Sequence, residues 1–264
     1  MSEFVIVVDV GNTSTTVGLA RAGRISGISR LPTRTACRKD VTAVLTRLTR
    51  NRRIAGAMLC SVVPERNRLW LQALRSCSGR PPVEVHHRMK FGLRIEYPNP
   101  ASIGADRLAN ACGAVHRYGS PVIVADFGTA LTFDVVANNA YKGGIIVPGL
   151  PLMTDYLAEK TALLPHLRLD RYPGIPRSLR AMPVIGKSTR QAMAIGARLG
   201  YLGMVREIFT RLKRTLKSRS VRLCATGGYA AWALAGCDLR VRIDPDLTLY
   251  GIARIYELNA DREH

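Results

Sequence analysis

The apolar and polar positions of this chain repeat one arrangement in its two halves. An apolar run leads into Asp-Val-Gly-Asn-Thr at 9–13, and a second apolar run leads into Asp-Phe-Gly-Thr at 126–129. Alternating apolar and hydroxyl-bearing residues follow each motif, at 15–19 and at 132–136. Such alternation is typical of a half-buried strand. Each motif therefore predicts a β-hairpin whose first strand ends in a carboxylate and a glycine turn.

The remaining periodicity predicts that helices and strands alternate in both halves of the chain. In the first half we expect a helix around 41–48, a strand over 54–63, a helix beginning at Pro64, a short strand at 83–86 and a helix over 102–116. In the second half we expect a strand over 141–150, a mixed stretch at 151–186, helices at 188–199 and 201–216, a strand at 221–225 and a final helix at 251–258. The predicted fold class is α/β with two lobes, residues 1–117 and residues 118–264, that share a nucleotide cleft.

Composition limits the compartment and the partners that we expect. No apolar run approaches the roughly 18 residues that cross a bilayer, so we expect a cytoplasmic protein without a membrane partner. The six cysteines are scattered without a Cys-x-x-Cys pair, which favours buried reduced thiols over a zinc site. The formal net charge of +20 makes nucleic acid a partner to consider. Because the basic residues fall on polar helix faces without interleaved aromatic residues, we expect a solvated basic surface instead.

The two carboxylate–glycine motifs are the strongest candidates for chemistry. A glycine turn lets backbone N–H groups approach phosphate oxygens, and an aspartate can hold Mg²⁺ directly or through water. One such motif alone is commonly an Asx turn that closes a hairpin, but a matched pair favours a clamp for a nucleotide and its metal ion. The chain has no Walker A motif, and Gly-Lys-Ser at 186–188 is its nearest fragment. Thr-Gly-Gly at 226–228 is either a simple turn or a third loop that approaches the adenine or ribose.

A further candidate lies near the start of the predicted helix over 102–116. Asp106 is two positions from Leu108, so it points away from the apolar stripe of that helix and is open to chemistry. Phosphoryl transfer to an alcohol needs a base near the attacking hydroxyl and a cation near the moving charge. Asp106 and Arg107 can supply that base and that anchor, and the alternative is an ion pair on a helix surface.

Several motifs, in their order and spacing, make the chain similar to a known family over essentially its whole length. They are Asp-Val-Gly-Asn-Thr at 9–13, Ser-Val-Val-Pro at 61–64, Tyr97, Gly-Ala-Asp-Arg at 104–107, Asp-Phe-Gly-Thr-Ala at 126–130, Gly-Gly-Ile-Ile-Val-Pro-Gly at 143–149, Ser-Thr at 188–189, Ala-Thr-Gly-Gly at 225–228 and Asp-Pro-Asp-Leu-Thr-Leu at 244–249. The chain resembles the type III pantothenate kinases of the actin, Hsp70 and sugar-kinase superfamily. The resemblance implies a two-lobed actin-like (ribonuclease H-like) fold. It also implies ATP-dependent phosphorylation of the 4′-hydroxyl of pantothenate, the first step of coenzyme A synthesis.

The resemblance also implies roles for particular residues. Residues 9–16 would form the first phosphate loop, Asp106 would accept the proton, and Asp126 would bind a monovalent cation, potassium or ammonium. The expected ATP contacts are Asp9, Val10, Gly11, Asn12, Thr13, Ser14, Thr15, Thr16, Thr129, Gly227 and Gly228. The expected pantothenate contacts are Tyr97, Gly104, Ala105, Asp106, Arg107 and Thr189. Mg²⁺ is expected at Asp9, and the family works as a homodimer with its substrate pocket near the subunit interface.

One position departs from the family pattern, and two other functions stay open. Tyr250 precedes the late Gly251, where the family usually has a glutamate. The alternatives are a kinase of another small alcohol or acid on the same scaffold, and a non-catalytic transcription accessory factor that binds nucleic acid. The carboxylates at positions 9, 106 and 126 argue against the second alternative, because carboxylates repel phosphate unless a cation intervenes.

Overall fold

The structure is a computed structural model that describes residues 3–169, 181–218 and 220–260. In chain order its elements are β1 (Phe4–Val10), β2 (Ser14–Arg21), β3 (Arg24–Pro32), α1 (Arg38–Thr49), β4 (Ile54–Ser61), α2 (Pro64–Ser78), β5 (Val83–Glu84), β6 (Arg94–Ile95), a 3₁₀ turn (Pro100–Ser102), α3 (Ala105–Tyr118), β7 (Val122–Phe127), β8 (Ala130–Ala137), β9 (Ala140–Pro148), α4 (Leu150–Lys160), α5 (Thr189–Leu216), β10 (Arg222–Thr226), α6 (Ala230–Ala233), β11 (Val241–Ile243) and α7 (Leu247–Asn259). They form two compact units. The first unit holds the residues up to 119, residues 139–142 and those from 246 onward, and the second holds 120–138 and 143–245.

The first unit is built on a five-stranded sheet in the order β3-β2-β1-β4-β5. β1 is antiparallel to β2 and parallel to β4, which confirms the predicted hairpin and the predicted strand over 54–63. β3 pairs antiparallel with β2 at the edge of the sheet. The residue pattern does not predict β3, because six of its nine residues are exposed and the apolar alternation is weak.

Helices α1 and α2 supply much of the core of the first unit. Val41, Leu45 and Leu48 of α1 are buried with Trp70 and Leu74 of α2 in one cluster with the strands. These are the apolar stripes that the period of 3.6 residues predicts. The proline that begins α2 also lies where it was expected, in the first turn, where a missing N–H costs no helical hydrogen bond.

Helix α7 packs closely along α3, and this contact places the end of the chain in the first unit. Every residue of α3 from 107 to 114 is buried. A Cβ atom at Gly251 of α7 would overlap the carbonyl oxygen of Ala109, so the two backbones approach as only glycine allows. The first unit continues to residue 119 and includes the segment from 246 onward. The lobes expected at 1–117 and 118–264 stay a prediction.

The second unit repeats the sheet of the first. Its strands follow the order β9-β8-β7-β10-β11, which matches β3-β2-β1-β4-β5 strand for strand. β7 is antiparallel to β8 and parallel to β10, as β1 is to β2 and β4. The duplicated α/β arrangement that the two motifs predict is therefore confirmed. The first residues of β9 belong to the first unit, where Ala140–Tyr141 pairs with β6.

Two helices of the second unit differ from the expectation. The mixed stretch at 151–186 begins with helix α4, and its residues 170–180 lie outside the described part of the chain. The two helices expected at 188–199 and 201–216 are one helix, α5, of 28 residues. Ser188 caps α5, since its side chain accepts a hydrogen bond from the N–H of Gln191. Within the described ranges, no helix has the length and hydrophobicity that a membrane span requires.

Candidate active site

Asp9 lies near the end of β1, between two neighbouring strands. It is half-buried, opposite Thr16 of β2 on one side and Cys60 of β4 on the other. Val10, the next residue, is fully buried, so only its backbone faces the turn that follows. The strand order therefore holds the Asp9 carboxylate at the carboxyl end of a central strand, where parallel α/β sheets commonly bind ligands.

Residues 12–14 of the turn after Asp9 are exposed. Thr33, the residue that follows β3, supports this turn through hydrogen bonds. The N–H of Gly11 donates to the carbonyl of residue 14 at 3.2 Å. The Thr33 hydroxyl donates to the carbonyl of Gly11 at 2.7 Å, and its Oγ1 lies 2.9 Å from Oγ1 of Thr15. Because Thr15 and Thr33 are both buried, Thr15 supports the turn and does not present its hydroxyl to solvent. Thr33 is absent from the residues predicted from sequence, because only the pairing of β3 brings it here.

Asp106 is the second residue of α3. Gly104, two positions earlier, is the N-cap of that helix. The N–H of Arg107 donates to Oδ1 of Asp106 at 2.8 Å. A Cβ atom at Gly104 would lie 2.5 Å from the same oxygen, so a larger residue there would displace the carboxylate from this position. Burial raises the pKa of Asp106, and the N–H and charge of Arg107 lower it by less. The Asp106 carboxylate therefore holds a proton more strongly than an ordinary surface aspartate does.

Cys60 shows that Asp9 and Asp106 lie in one neighbourhood of the first unit. Its thiol is fully buried on β4. Burial raises the pKa of Cys60 most, and the negative charges of Asp9 and Asp106 raise it further. Asp9 is the register partner of Cys60, and the N–H of Val62, just after β4, donates to the carbonyl of Val10 at 3.1 Å. A Cβ atom at Gly104 would lie 3.6 Å from Cγ1 of Val62 and 2.5 Å from Oδ1 of Asp106, so Asp106 lies beside the same strand end. The fold therefore brings together two of the predicted site residues that are 97 positions apart in the sequence.

Tyr141 packs behind two of the residues expected to contact pantothenate. The guanidinium of Arg107 lies 5.9 Å from the centre of the Tyr141 ring. The ring of Tyr97 meets the same ring edge-on, with 6.2 Å between centroids. Tyr141 is fully buried and Arg107 is only 9% exposed, so Arg107 is not part of a solvated ion pair on a helix surface. The sequence pattern does not single out Tyr141, which reaches this place because residues 139–142 belong to the first unit.

Asp126 occupies in the second unit the place that Asp9 occupies in the first. It is half-buried near the end of β7, opposite Thr132 of β8 and Thr226 of β10. The N–H of Gly128 donates to the carbonyl of Ala130 at 3.1 Å and closes the turn, much as Gly11 does in the first unit. The two motifs are therefore equivalent in strand position, and the second turn is one residue shorter than the first.

Two glycines hold further backbone against the Asp126 turn. A Cβ atom at Gly227 would lie 2.5 Å from Oδ1 of Asp126, and the φ angle of Gly227 is 91°, which favours glycine. A Cβ atom at Gly149 would overlap the carbonyl oxygens of Gly128 and Thr129. Gly228 is exposed with open space above it. The second unit thus gathers Asp126, Thr129, Gly227 and Gly228, and Gly149 is an addition to the predicted set.

The other positions singled out from sequence lie on helices. Thr189 is the first residue of α5 and is exposed. Tyr250 of α7 is buried, its hydroxyl lies 2.5 Å from Nδ1 of His116, and the guanidinium of Arg117 stacks over its ring at 3.7 Å. The residue that replaces the usual glutamate therefore ties α7 to the end of α3.

Metal binding in this chain would rest on isolated carboxylates. No group of three or more histidine, cysteine, aspartate or glutamate side chains among the residues that the structure describes could hold an ion. Mg²⁺ suits such a site, because it is usually held by one or two carboxylates together with water and substrate phosphates. Asp9, beside an exposed glycine turn, offers that kind of ligand.

The duplicated sheets and their matched carboxylate–glycine turns define an α/β protein of the actin-like class. A Campylobacter jejuni protein of the Baf family, described as a transcriptional activator, has a similar structure with a TM-score of 0.57 at 16% identity, over 97% of this chain and 99% of that one. The activator of 2-hydroxyisocaproyl-CoA dehydratase from Clostridium difficile, with bound ADPNP, gives 0.55 at 10% identity, over 98% and 96%. Likeness at these identities concerns the fold alone.

The family follows from the sequence comparison. The family model described as type III pantothenate kinase matches residues 5–211. A type III pantothenate kinase of Akkermansia muciniphila is 43% identical over 78% of this chain and 80% of its own length. One of Dehalococcoides mccartyi is 34% identical over 98% of this chain and 99% of its own length. The chain belongs to the type III pantothenate kinase family, which confirms the resemblance seen in its motifs.

Proposed function

We propose that this chain transfers the terminal phosphate of ATP to the 4′-hydroxyl of pantothenate, the first step of coenzyme A biosynthesis. Its family supports the reaction. The observation that carries the mechanism is geometric: Asp9 pairs with Cys60 near the end of β4, and Asp106 lies beside Val62, just after that strand. A carboxylate that can hold a metal ion and a carboxylate that can accept a proton are thereby combined in one unit.

The reaction is tested directly with purified protein, pantothenate, ATP, Mg²⁺ and potassium. We expect phosphopantothenate to appear by mass spectrometry at the rate at which ADP is released. A panel of sugars and of acetate, assayed by the same ADP release, is the control. ADP release with a member of that panel, and none with pantothenate, would favour the kinase of another small alcohol or acid.

In the proposed mechanism Asp106 accepts the proton of the attacking hydroxyl. The hydroxyl oxygen forms a bond to the γ-phosphorus, the bond from that phosphorus to the bridging oxygen breaks, and the electron pair leaves with ADP. Desolvation, which raises the pKa of Asp106, makes the carboxylate a stronger base than an exposed aspartate. Arg107, held against Tyr141, supplies a cation for the anionic substrate. Gly104 and Ala105 bring the backbone next to that carboxylate.

The first turn is assigned to the phosphates of ATP. Residues 12–14 are exposed after Gly11, so their N–H and hydroxyl groups are available as donors. Asp9 would hold Mg²⁺, which when bound neutralises charge on the transferring phosphate. Thr129 and the turn at 227–228 are assigned to the nucleotide as well, because they gather at the Asp126 turn of the second unit.

The monovalent cation is assigned to Asp126. The half-buried carboxylate has a threonine on each neighbouring strand, Thr132 and Thr226, and such oxygen groups suit a hard cation. Pantothenate is assigned to Tyr97 and Arg107, which Tyr141 keeps in place, and to the exposed hydroxyl of Thr189.

A homodimer is the proposed assembly. Helices α4 and α5 border a groove of about 760 Å³ whose lining includes Leu152, Met153 and Leu157 of α4 and Met193 of α5. Leu152 is 45% exposed and Tyr156 is 61% exposed, which is unusual for such large apolar side chains. A second copy of the chain would remove this surface from water.

A further inference from the structure

Nearly half of the net charge comes from one short segment. Residues 21–53 carry ten arginine and lysine side chains and a single acidic residue, Asp40. The segment thus has a net charge of +9, against +20 for the whole chain. It contains β3 and α1, which pack together, since the guanidinium of Arg47 donates to the Ser29 hydroxyl at 2.8 Å. The positive charge of the chain is therefore concentrated in this part of the first unit.

The fold sorts these cations to two ends of the first unit. We call residues 11–14, the turn after Asp9, the phosphate turn. Thr33 is hydrogen-bonded to this turn, and three of the cations, Arg34, Arg38 and Lys39, follow Thr33 in the chain. These three therefore lie at the end of the unit that carries the phosphate turn. Arg30 pairs with Thr16, the register partner of Asp9, and Arg47 is bonded to the neighbouring Ser29, so these two also lie toward that end. The second group, Arg21, Arg24, Arg50, Arg52 and Arg53, is near the start of β1. Since β1 runs from Phe4 at one end to Asp9 near the other, the two groups are separated by roughly 17 Å along the strand at about 3.3 Å per residue. The second group is too far away to contact ATP at the first turn.

We define the far-end arginine cluster as Arg21, Arg24, Arg50, Arg52 and Arg53. Arg21 and Arg52 lie over the same ring, that of Phe4, at 4.4 and 5.5 Å from its centroid. Arg24 is the register partner of Arg21 on the neighbouring strand. The carbonyl of Arg53 accepts a hydrogen bond from the N–H of Phe4 at 2.9 Å. Four of the five arginines are thus anchored around one residue.

The far-end arginine cluster is exposed and lacks counter-charges. All five side chains are exposed, and Arg50 ends helix α1. Among the described residues, no carboxylate forms an ion pair with Arg24, Arg50 or Arg53, and Glu3 is the acidic residue next to Phe4 in the chain. Two of the cations have a structural use, since Arg52 also donates to the Leu48 carbonyl. The other three are exposed cations whose charge an anionic partner would neutralise.

We propose that the far-end arginine cluster binds the phosphate backbone of a nucleic acid, without sequence preference. All five cations are arginines, whose guanidinium groups pair with phosphate oxygens through two hydrogen bonds. An anionic membrane fits less well, because stable membrane binding needs an apolar group to insert, and the Phe4 ring is already covered by Arg21 and Arg52. The surface is separate from the kinase site, and the proposal does not depend on the proposed reaction.

The test uses the full-length protein and a fluorescent 20-base-pair DNA duplex of arbitrary sequence, with binding followed by anisotropy between 0.05 and 0.3 M salt. We expect the triple variant R24Q/R50Q/R53Q to bind at least about tenfold more weakly at 0.1 M salt. Its slope of log K against log salt should be smaller by about 2 to 3, since each phosphate contact contributes about 0.9. Kinase activity should be unchanged, because these three residues lie away from the phosphate turn.

The matched control removes three cations from the end of α5, as K213Q/R214Q/K217Q. It loses the same formal charge, so binding that depends on net charge alone would fall equally in both variants and overturn the proposal. Absence of binding by the unmodified protein at 0.05 M salt would overturn it too. So would stronger binding to vesicles of anionic phospholipid than to the duplex, with the same dependence on R24Q/R50Q/R53Q. An unrelated duplex that binds equally well supports recognition of the backbone.

Discussion

At the scale of single residues, the proposed mechanism depends on Asp106. Its carboxylate is desolvated at the start of α3 and lies in the same surroundings as Asp9. We expect Asp106→Asn to lower kcat by about 10² to 10⁴, the usual contribution of a general base, because the amide cannot accept the proton. Binding of ATP, measured by calorimetry, should be little changed. Full turnover by this variant would remove the assignment.

Asp126 is predicted to act through a monovalent cation. Replacing potassium with sodium should lower kcat strongly in the unmodified protein, because the smaller ion keeps its water more tightly and fits an oxygen site differently. Asp126→Asn should show little activity in either salt, and a Thr16→Ser variant, altered next to the other carboxylate, should keep the potassium dependence. Indifference of the unmodified enzyme to the cation would contradict this role.

At the scale of elements, the contact between α3 and α7 depends on glycine. A Cβ atom at Gly251 would overlap the carbonyl oxygen of Ala109, and one at Gly196 of α5 would meet nothing within 4 Å. Gly251→Ala should therefore lower the free energy of unfolding by about 1–3 kcal/mol or more, as overpacking does. Gly196→Ala should raise it by up to about 1 kcal/mol, since alanine is the better helix former.

Chemical denaturation of both variants measures the two changes on one scale. Equal stability of Gly251→Ala and the unmodified protein would mean that α7 does not pack on α3 as described.

The local pattern predicts the strands β1, β2, β7 and β8 and the helices α1 and α2, because each has its own apolar period. It does not predict β3, because an exposed edge strand lacks a clear apolar pattern. It predicts two helices where α5 is one continuous helix, which contains three internal glycines.

At the scale of the whole molecule, the groove between α4 and α5 predicts a homodimer. Light scattering should give twice the mass of one chain. The double variant Leu152→Glu with Tyr156→Glu should shift the mass toward the monomer, because charges at an apolar interface lose their water. Leu163→Glu is the control, as Leu163 is 89% exposed and does not line the groove. A dimer that survives the double variant and the control equally would place the interface elsewhere.

The sequence by itself determined the duplicated hairpins, the carboxylates at positions 9, 106 and 126, and the family, because strand alternation and short motifs are local properties of the chain. The tertiary structure alone decided which residues surround them. Thr33 beneath the first turn, Tyr141 behind Arg107 and Tyr256 of α7 against Gly56 all come from distant segments. It also decided that four arginines gather around Phe4, since only the pairing of strands and the packing of α1 join residues 21–24 to residues 52–53. These contacts join segments that are far apart in the sequence, and no periodic pattern of residues within either segment indicates them.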